Sequence, residues 1–427
     1  MRRLFFLFSF FTFGITLPAF FASADAVIPS ELNLIFSDRT IKLNLDIQKN
    51  LIRTVPHHFL ILGNQKVPVD TNGQLLAANT LFPIQTEFSR EVNPDTLHEF
   101  FRSMSLVRSD SETNSVAISQ DKEGPIVFIG TPQQGFDIDE TKLVALMNEA
   151  LVLGKTYVQA PATKIFSKID VSPELQKRGI REVIGFGESN FTGSSSERKK
   201  NIFAALRRLN GVIIRQGKNF SFNHYIQDIS EKDGFVPELV IKGNLTEKEL
   251  GGGICQVSTT AFRAAFFAGL PITERKNHSY TVPYYKPLGL DAAVYLGSND
   301  FRFKNDTPGD ILIQAFTTKG DNLFFVFYGT RDGRSVFAEG PFLSHYQDPG
   351  DPLLYQSPDL PQGQIQEIRK GYSGVDALWI RRLVYTDGHT ESKNENFVSH
   401  YRPWKALELE GTGTPETLSS SDQSFLP

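Results

Sequence analysis

The residues best equipped for chemistry lie in one stretch, from Gly251 to Asp291. At its centre is Cys255, the only cysteine of the chain, set in Gly251-Gly252-Gly253-Ile254-Cys255-Gln256. Three glycines admit backbone conformations closed to other residues and let a substrate come close to the chain. They lead into Val257 to Ala268, which reads as a helix ended by Gly269, with Pro271 beyond. A thiol at or near a helix N-terminus faces unpaired amides and the positive end of the macrodipole, so the thiolate is favoured and the sulfur becomes a nucleophile. The amides beside it are candidates for an oxyanion hole. His278 follows in Arg275-Lys276-Asn277-His278-Ser279-Tyr280, and Asp291 opens Asp291-Ala292-Ala293-Val294-Tyr295, which reads as a strand. In that order His278 would take the thiol proton and Asp291 would orient the imidazole.

Each of these residues also has a plainer role. Cys255 could be a small buried hydrophobe, His278 a structural hydrogen-bonding group, Asp291 a turn cap, and the glycines a tight strand-to-helix connection. Their concentration in one segment favours chemistry. A cysteine on a helix start, then a His and an Asp on successive strands, is also the order found in transglutaminase-like and papain-like thiol enzymes.

The elements that must position this site divide the chain into five parts. Residues 1–26 read as an export signal: Arg2 and Arg3, the apolar run Leu4 to Phe13, then small residues at Ala22-Ser23-Ala24 and Ala24-Asp25-Ala26 that fit signal cleavage. Left uncleaved, the same segment would be a membrane anchor. In an exported chain one cysteine forms no internal disulfide, so Cys255 is either inert or kept for its reactivity. Residues 27–175 mix short apolar runs with helical stretches, as an α+β domain does. Within it Pro125 to Ile129 is strand-like, a helix after Asp139 carries Leu143, Leu146, Met147 and Ala150, and Tyr157 to Ala160 is extended. His57-His58 reads as a surface loop.

Residues 176–335 form the domain of the cysteine site. Ser194-Ser195-Ser196 can cap a helix with Ile202, Ala205, Leu206 and Leu209 on one face, ended by Asn210-Gly211. Strand-like pieces surround the glycine motif: Gly211 to Arg215, Phe220 to Phe222, Ala292 to Leu296, Ile311 to Phe316 and Leu323 to Gly329. The pattern predicts helices packed on a mixed or antiparallel sheet. Residues 336–410 read as a small β module around Trp379 to Tyr385, with a turn at Thr386-Asp387-Gly388, and residues 411–427 as a disordered tail. The whole is a multidomain α+β chain.

From about Val183 to Gly329 the sequence closely resembles the VanW domain, a family first associated with glycopeptide resistance clusters. The resemblance rests on Arg198 with Asn201-Ile202, Leu209-Asn210-Gly211, Asn219 to Asn223, Gly251 to Thr260, Ala268-Gly269-Leu270, Glu274-Arg275, His278-Ser279, Gly289 to Val294 and Phe303-Lys304-Asn305. The chain departs from relatives at Gln216-Gly217-Lys218, where Pro-Gly-Glu is usual, a change in a turn.

Some members of the family are implicated as L,D-transpeptidases that cross-link peptidoglycan stems. That resemblance implies stem peptides as partners and Cys255 as nucleophile. It implies His278 as base, with Asp291 as third member. Arg198, Asn201, Gly251, Gly252, Gly253, Gln256 and Ser279 would line the site. More loosely, residues 27–175 resemble a peptidoglycan-binding domain that often precedes catalytic modules in cell-wall proteins. The C-terminal β module is similar to accessory β domains at the ends of bacterial surface proteins.

Composition narrows the alternatives. With 44 basic and 48 acidic residues and a formal charge of -4, no basic excess exists to neutralise a nucleic-acid backbone. The eight histidines are scattered, without His-Glu-x-x-His or paired-cysteine spacing, so neither a metal nor another cofactor is expected. Two readings follow: a thiol enzyme of the periplasm or cell envelope acting on peptidoglycan, or a non-catalytic envelope module that binds it.

Overall fold

A computed structural model describes residues 22–23, 28–36, 40–48, 50–62, 64–69, 84–104, 115–121, 124–242, 245–386 and 392–413. Apart from Ala22 and Ser23, the export signal lies outside the described residues, as do the turn residues Asp387 and Gly388 and the tail beyond Gly413. The fold is α+β, with helices set among several small sheets. No helix among the described residues is long and apolar enough to cross a membrane.

The chain forms two compact units, one of residues 1–112 and 135–165, the other of residues 113–134 and 166–427. In the first, strand Glu31–Ile35 pairs antiparallel with Thr40–Asn44 and parallel with Tyr157–Gln159. Its alternation turns Leu32 and Leu34 inward, where they join Phe36, Leu97, Phe101, Phe136, Leu143 and Met147 in one core. Helix Glu140–Val152 starts where expected: the Asp139 side chain accepts from the Lys142 amide at 2.9 Å. His57-His58 is not in a loop. Both residues lie on strand Ile52–Leu62, whose partner Ile84–Val92 supplies the Ser89 hydroxyl 2.6 Å from His57 Nε2.

The second unit is built on a four-stranded antiparallel sheet in the order Glu182–Asn190, Asn322–Gly329, Ile311–Thr318, Ile213–Ile214. Strand Asn322–Gly329 reads as a nearly continuous apolar run because both faces of the sheet are covered. Leu323, Phe325 and Phe327 face one core with the helices Ser196–Leu209 and Ile254–Phe267. Val326 and Tyr328 face another, closed by Val116, Ile118, Val171 and Leu175.

Helix Ile254–Phe267, which carries Cys255, is buried on nearly every side. It lies directly on strand Glu182–Asn190, where a Cβ at Gly187 would come within 2.2 Å of the Thr260 carbonyl oxygen and one at Gly185 within 2.7 Å of that of Ala264. Only glycine permits so close an approach of backbone to backbone. The helix begins a turn earlier than its apolar pattern suggests. Gly251 at φ 89° and Gly253 at φ 113° close the chain sharply, so Ile254 and Cys255 already belong to the first turn.

Downstream, Arg334–Gln347, Gly374–Tyr385 and Lys393–Tyr401 form an antiparallel sheet. A smaller mixed sheet takes Leu353–Pro361, Leu407–Gly413 and Ile365–Arg369, so residues 411–413 complete a strand. The larger sheet is tied to the cysteine helix by Arg381, which is fully buried. Its guanidinium donates to the carbonyls of Phe266 at 2.9 Å and Leu270 at 3.0 Å and is ion-paired with Glu395. A cation beside the last carbonyls of a helix is favoured by the negative end of its dipole.

Candidate active site

Cys255 occupies the first turn of its helix, partly accessible among fully buried neighbours. The Ile254 amide donates to Gly251 O at 3.0 Å and the Gln256 amide to Gly253 O at 2.9 Å, while the Cys255 amide donates to no acceptor among the described residues. That N–H is the donor an oxyanion would meet. The thiol itself lies 3.6 Å from the Val294 carbonyl oxygen.

His278 and Asp291 come together as the sequence order suggested. Imidazole Nδ1 is 2.5 Å from Asp291 Oδ2, and the His278 main-chain amide donates to the same oxygen at 2.8 Å. A carboxylate at Nδ1 fixes the proton there and leaves Nε2 as the other ring nitrogen. Nε2 is buried and makes no hydrogen bond of ordinary geometry. It is the nitrogen left for the Cys255 thiol, and the two groups act on each other. Burial opposes the Cys255 thiolate, but hydrogen bonding and charge from His278, with a contribution from Arg198, outweigh it and hold the thiol below its ordinary value. Burial also opposes the imidazolium, but Asp291 and then Cys255 raise His278 well above the usual histidine range. The arrangement favours a thiolate–imidazolium pair, the reactive form of a thiol nucleophile.

Asp291 is nearly inaccessible, at 2% side-chain exposure. Burial raises its carboxyl, but His278 and Arg275 hold it well below the usual carboxylate range. Its second oxygen accepts from the Tyr401 hydroxyl at 2.5 Å and from Arg275 Nη2 at 3.3 Å. Tyr401 also accepts from the Gly289 amide at 2.8 Å, and its phenol is pushed far up by burial and the Asp291 charge, so it stays a donor. The Tyr285 ring stacks on the imidazole with centroids 4.4 Å apart.

Neither His278 nor Asp291 lies on a strand, and the strand expected at Ala292 to Leu296 is absent except for an isolated bridge between Tyr295 and Asn299. Side chains of the cysteine helix supply the hydrogen bonds that a neighbouring strand would have made. The Ser258 hydroxyl donates to Ala292 O at 2.6 Å, and the Ala292 amide donates to the Thr259 hydroxyl at 3.1 Å. Buried Arg263 donates to the carbonyls of Glu188, Tyr285, Lys286 and Leu290 at 2.8 to 2.9 Å. Burial lowers this guanidinium to about 10, which leaves it charged at neutral pH. Arg275 does similar work, reaching the carbonyls of Gly289 at 3.0 Å and Asp291 at 2.7 Å.

The other expected site residues serve mostly to hold this frame. Asn201 is fully buried, donating to Val236 O at 3.0 Å and Gly252 O at 2.9 Å. Gln256, also fully buried, donates to Ser189 Oγ at 2.8 Å and accepts from Arg198 Nη2 at 3.1 Å. Gly251, Gly252 and Gly253 are buried, and a Cβ at Gly253 would meet Arg198 and Ile202 at 3.1 to 3.2 Å. The glycine run therefore seats the helix start against helix Ser196–Leu209. Arg198 lies over the Tyr284 ring at 4.8 Å. Ser279 is exposed, its carbonyl accepting from the Arg402 amide at 2.7 Å.

Sequence reasoning did not assign roles to Arg263, Arg275, Tyr285 and Tyr401. An arginine inside an apolar helix is the one local signal that could have pointed to Arg263, because a buried guanidinium must find acceptors. Among the described residues no three His, Cys, Asp or Glu side chains converge as metal ligands.

Over 163 residues the chain is 35% identical to the uncharacterized protein YoaR of Bacillus subtilis, covering 38% of this chain and 52% of that protein. Over 129 residues it is 33% identical to the vancomycin B-type resistance protein VanW of Enterococcus faecalis, covering 28% of this chain and 45% of that one. The chain thus spans about half the length of these relatives. No solved structure matches it. The family model described as VanW like protein matches residues 197–328, a span that contains Cys255, His278 and Asp291 and ends before Tyr401. The cysteine, its histidine and its aspartate therefore belong to a VanW-like domain.

Proposed function

We propose that this protein is an exported cell-envelope thiol acyltransferase acting on peptidoglycan stem peptides, of L,D-transpeptidase type. The observation that carries the reading is the Cys255–His278–Asp291 group, in which a carboxylate orders and charges the imidazole that faces a partly accessible thiol. The similarity to a protein named for vancomycin resistance supports an envelope role. The export signal read in residues 1–26 and the wall-binding role proposed for residues 27–175 accord with it.

In the proposed reaction the Cys255 thiolate attacks the carbonyl carbon after the third stem residue, and the developing oxyanion meets the Cys255 amide. Collapse of the tetrahedral intermediate breaks the C–N bond, with His278 protonating the departing D-Ala amine. A thioester remains. The side-chain amine of a neighbouring stem then attacks it, passes a proton to His278 and expels the sulfur as thiolate. Water in place of the amine gives hydrolysis.

The test is incubation of the purified protein with tetrapeptide muropeptides, followed by mass spectrometry. The reading expects an acyl adduct on Cys255, release of D-Ala and cross-linked dimers, all lost in Cys255→Ala. Binding to sacculi without adduct or product would instead make the chain a non-catalytic wall-binding module.

A further inference from the structure

An open cleft of about 480 Å³ lies where the His278 loop meets the C-terminal sheet. The loop contributes Lys276, His278 and Ser279, and the sheet region contributes His345, Asp376, His400 and Arg402. Each belongs to the second compact unit. More than half of the lining residues, from His345 to Arg402, lie beyond the VanW-like span, so the module that supplies Tyr401 to Asp291 also lines a cleft that His278 borders.

The charges in the cleft do not cancel. Asp376, its only acidic wall residue, is engaged by His400 Nδ1 at 2.7 Å and by His345 Nδ1 at 3.1 Å. Lys276 and Arg402 are exposed and form no ion pair among the described residues. Two cations against a single carboxylate leave one excess positive charge on the cleft that His278 borders. Asn277, Ser279 and Gln347 add hydrogen-bonding groups that suit an extended polar chain more than a compact ion.

We propose that this cleft, bordered by His278, binds the carboxylates of an acidic peptide, with Lys276 and Arg402 as the recognition charges. The proposal rests on the thiol acyltransferase reading for the identity of the peptide. It makes the C-terminal β module a specificity element of the VanW-like site.

The experiment uses the full chain carrying Cys255→Ala, so that nothing turns over, and calorimetric titration at two salt concentrations. The probes are the tetrapeptide L-Ala-γ-D-Glu-meso-diaminopimelyl-D-Ala and the same peptide with its free carboxylates converted to carboxamides. The acidic peptide is expected to bind more tightly. Adding Lys276→Gln or Arg402→Gln to the same chain should weaken it roughly fivefold each, as exposed charge pairs do. The advantage should shrink as salt shortens the screening length. The carboxamide peptide should bind all the chains alike. Thermal melting confirms that these surface changes leave the fold intact. Equal affinity for the two peptides, or unchanged binding in both variants, overturns the proposal. The two readings fail separately: a Cys255 thioester in the wild-type chain with KM unmoved by Lys276→Gln and Arg402→Gln sinks the cleft alone. Carboxylate-dependent binding without any adduct on wild-type Cys255 sinks acyl transfer and leaves the cleft standing.

Discussion

Two segments meet at the candidate active site and are held by opposite means. Helix Ile254–Phe267 satisfies its interior backbone groups by its own periodic hydrogen bonds and is positioned by apolar burial and two glycine contacts. The loop from Arg275 to Val294 contains only one short helical turn, Pro283–Tyr285. Much of its backbone is held by side chains of other elements: Arg263, Ser258 and Thr259 from the helix, and Tyr401 from the C-terminal sheet. The thiol thus sits on an element whose pattern is local in the sequence, while the imidazole and its carboxylate sit on a loop held largely by remote residues. A site divided in this way should fail chemically when the helix residue is changed and structurally when the supports of the loop are removed.

The largest effect sharpens the helix side. Cys255→Ala should abolish acyl-adduct formation, a loss of at least about a thousandfold in rate. Its melting temperature should stay close to wild type, because alanine suits a first helical turn. A large drop in melting temperature would mean that the thiol supports the fold.

Breaking the loop side requires Arg263→Met. Its apolar stem keeps much of the packing, but four carbonyls lose their charged donor and Asp291 loses a nearby cation. Removing one partner from a buried charged network costs about 3–5 kcal/mol. Urea unfolding should show that loss, with adduct formation falling alongside. Wild-type stability would mean that the loop is held some other way.

His278→Ala tests the coupling between the two segments. With thiolate stabilisation lost, the midpoint of Cys255 alkylation by iodoacetamide should move to higher pH, and the rate at neutral pH should drop roughly tenfold. In the wild type, alkylation should persist to lower pH than for an ordinary thiol. Linkage gives a second readout. The folded pKa of His278 lies above its unfolded value near 6.5, so its contribution to stability is full below that value and is lost as pH rises through the raised one. Asp291 behaves in the opposite sense, contributing above about pH 4 and losing that contribution as pH falls through its depressed value. The stability gap between wild type and His278→Ala should therefore narrow toward alkaline pH.

The smallest effect belongs to Tyr401→Phe, which removes one donor from Asp291 and one acceptor from Gly289 while keeping the ring. A cost of about 1–2 kcal/mol is expected, seen as a lower kcat with little change in KM. An unchanged kcat would confine the C-terminal module to binding.

The comparison also explains what could be read from residue order. The glycine run, the helix after it, the capped helix at Ser195 and the apolar strands Ile311–Thr318 and Asn322–Gly329 were all legible, because backbone periodicity and burial repeat at fixed spacings in the sequence. Cys255, His278 and Asp291 were named from motif and order, and their convergence needed the structure. Ala292 to Leu296 reads as a strand from its apolar residues, yet only Ala292 is buried in the main core, Tyr295 and Leu296 are exposed, and the Ala292 backbone bonds go to helix side chains.

By itself the sequence determined the α+β pattern and the placement of a lone thiol at or near the start of a helix, behind three glycines. Only the tertiary structure decided how His278 is oriented and charged. The partner of Asp291, Tyr401, lies 110 residues away, and bonds from side chains to distant carbonyls follow no period that a linear reading could detect.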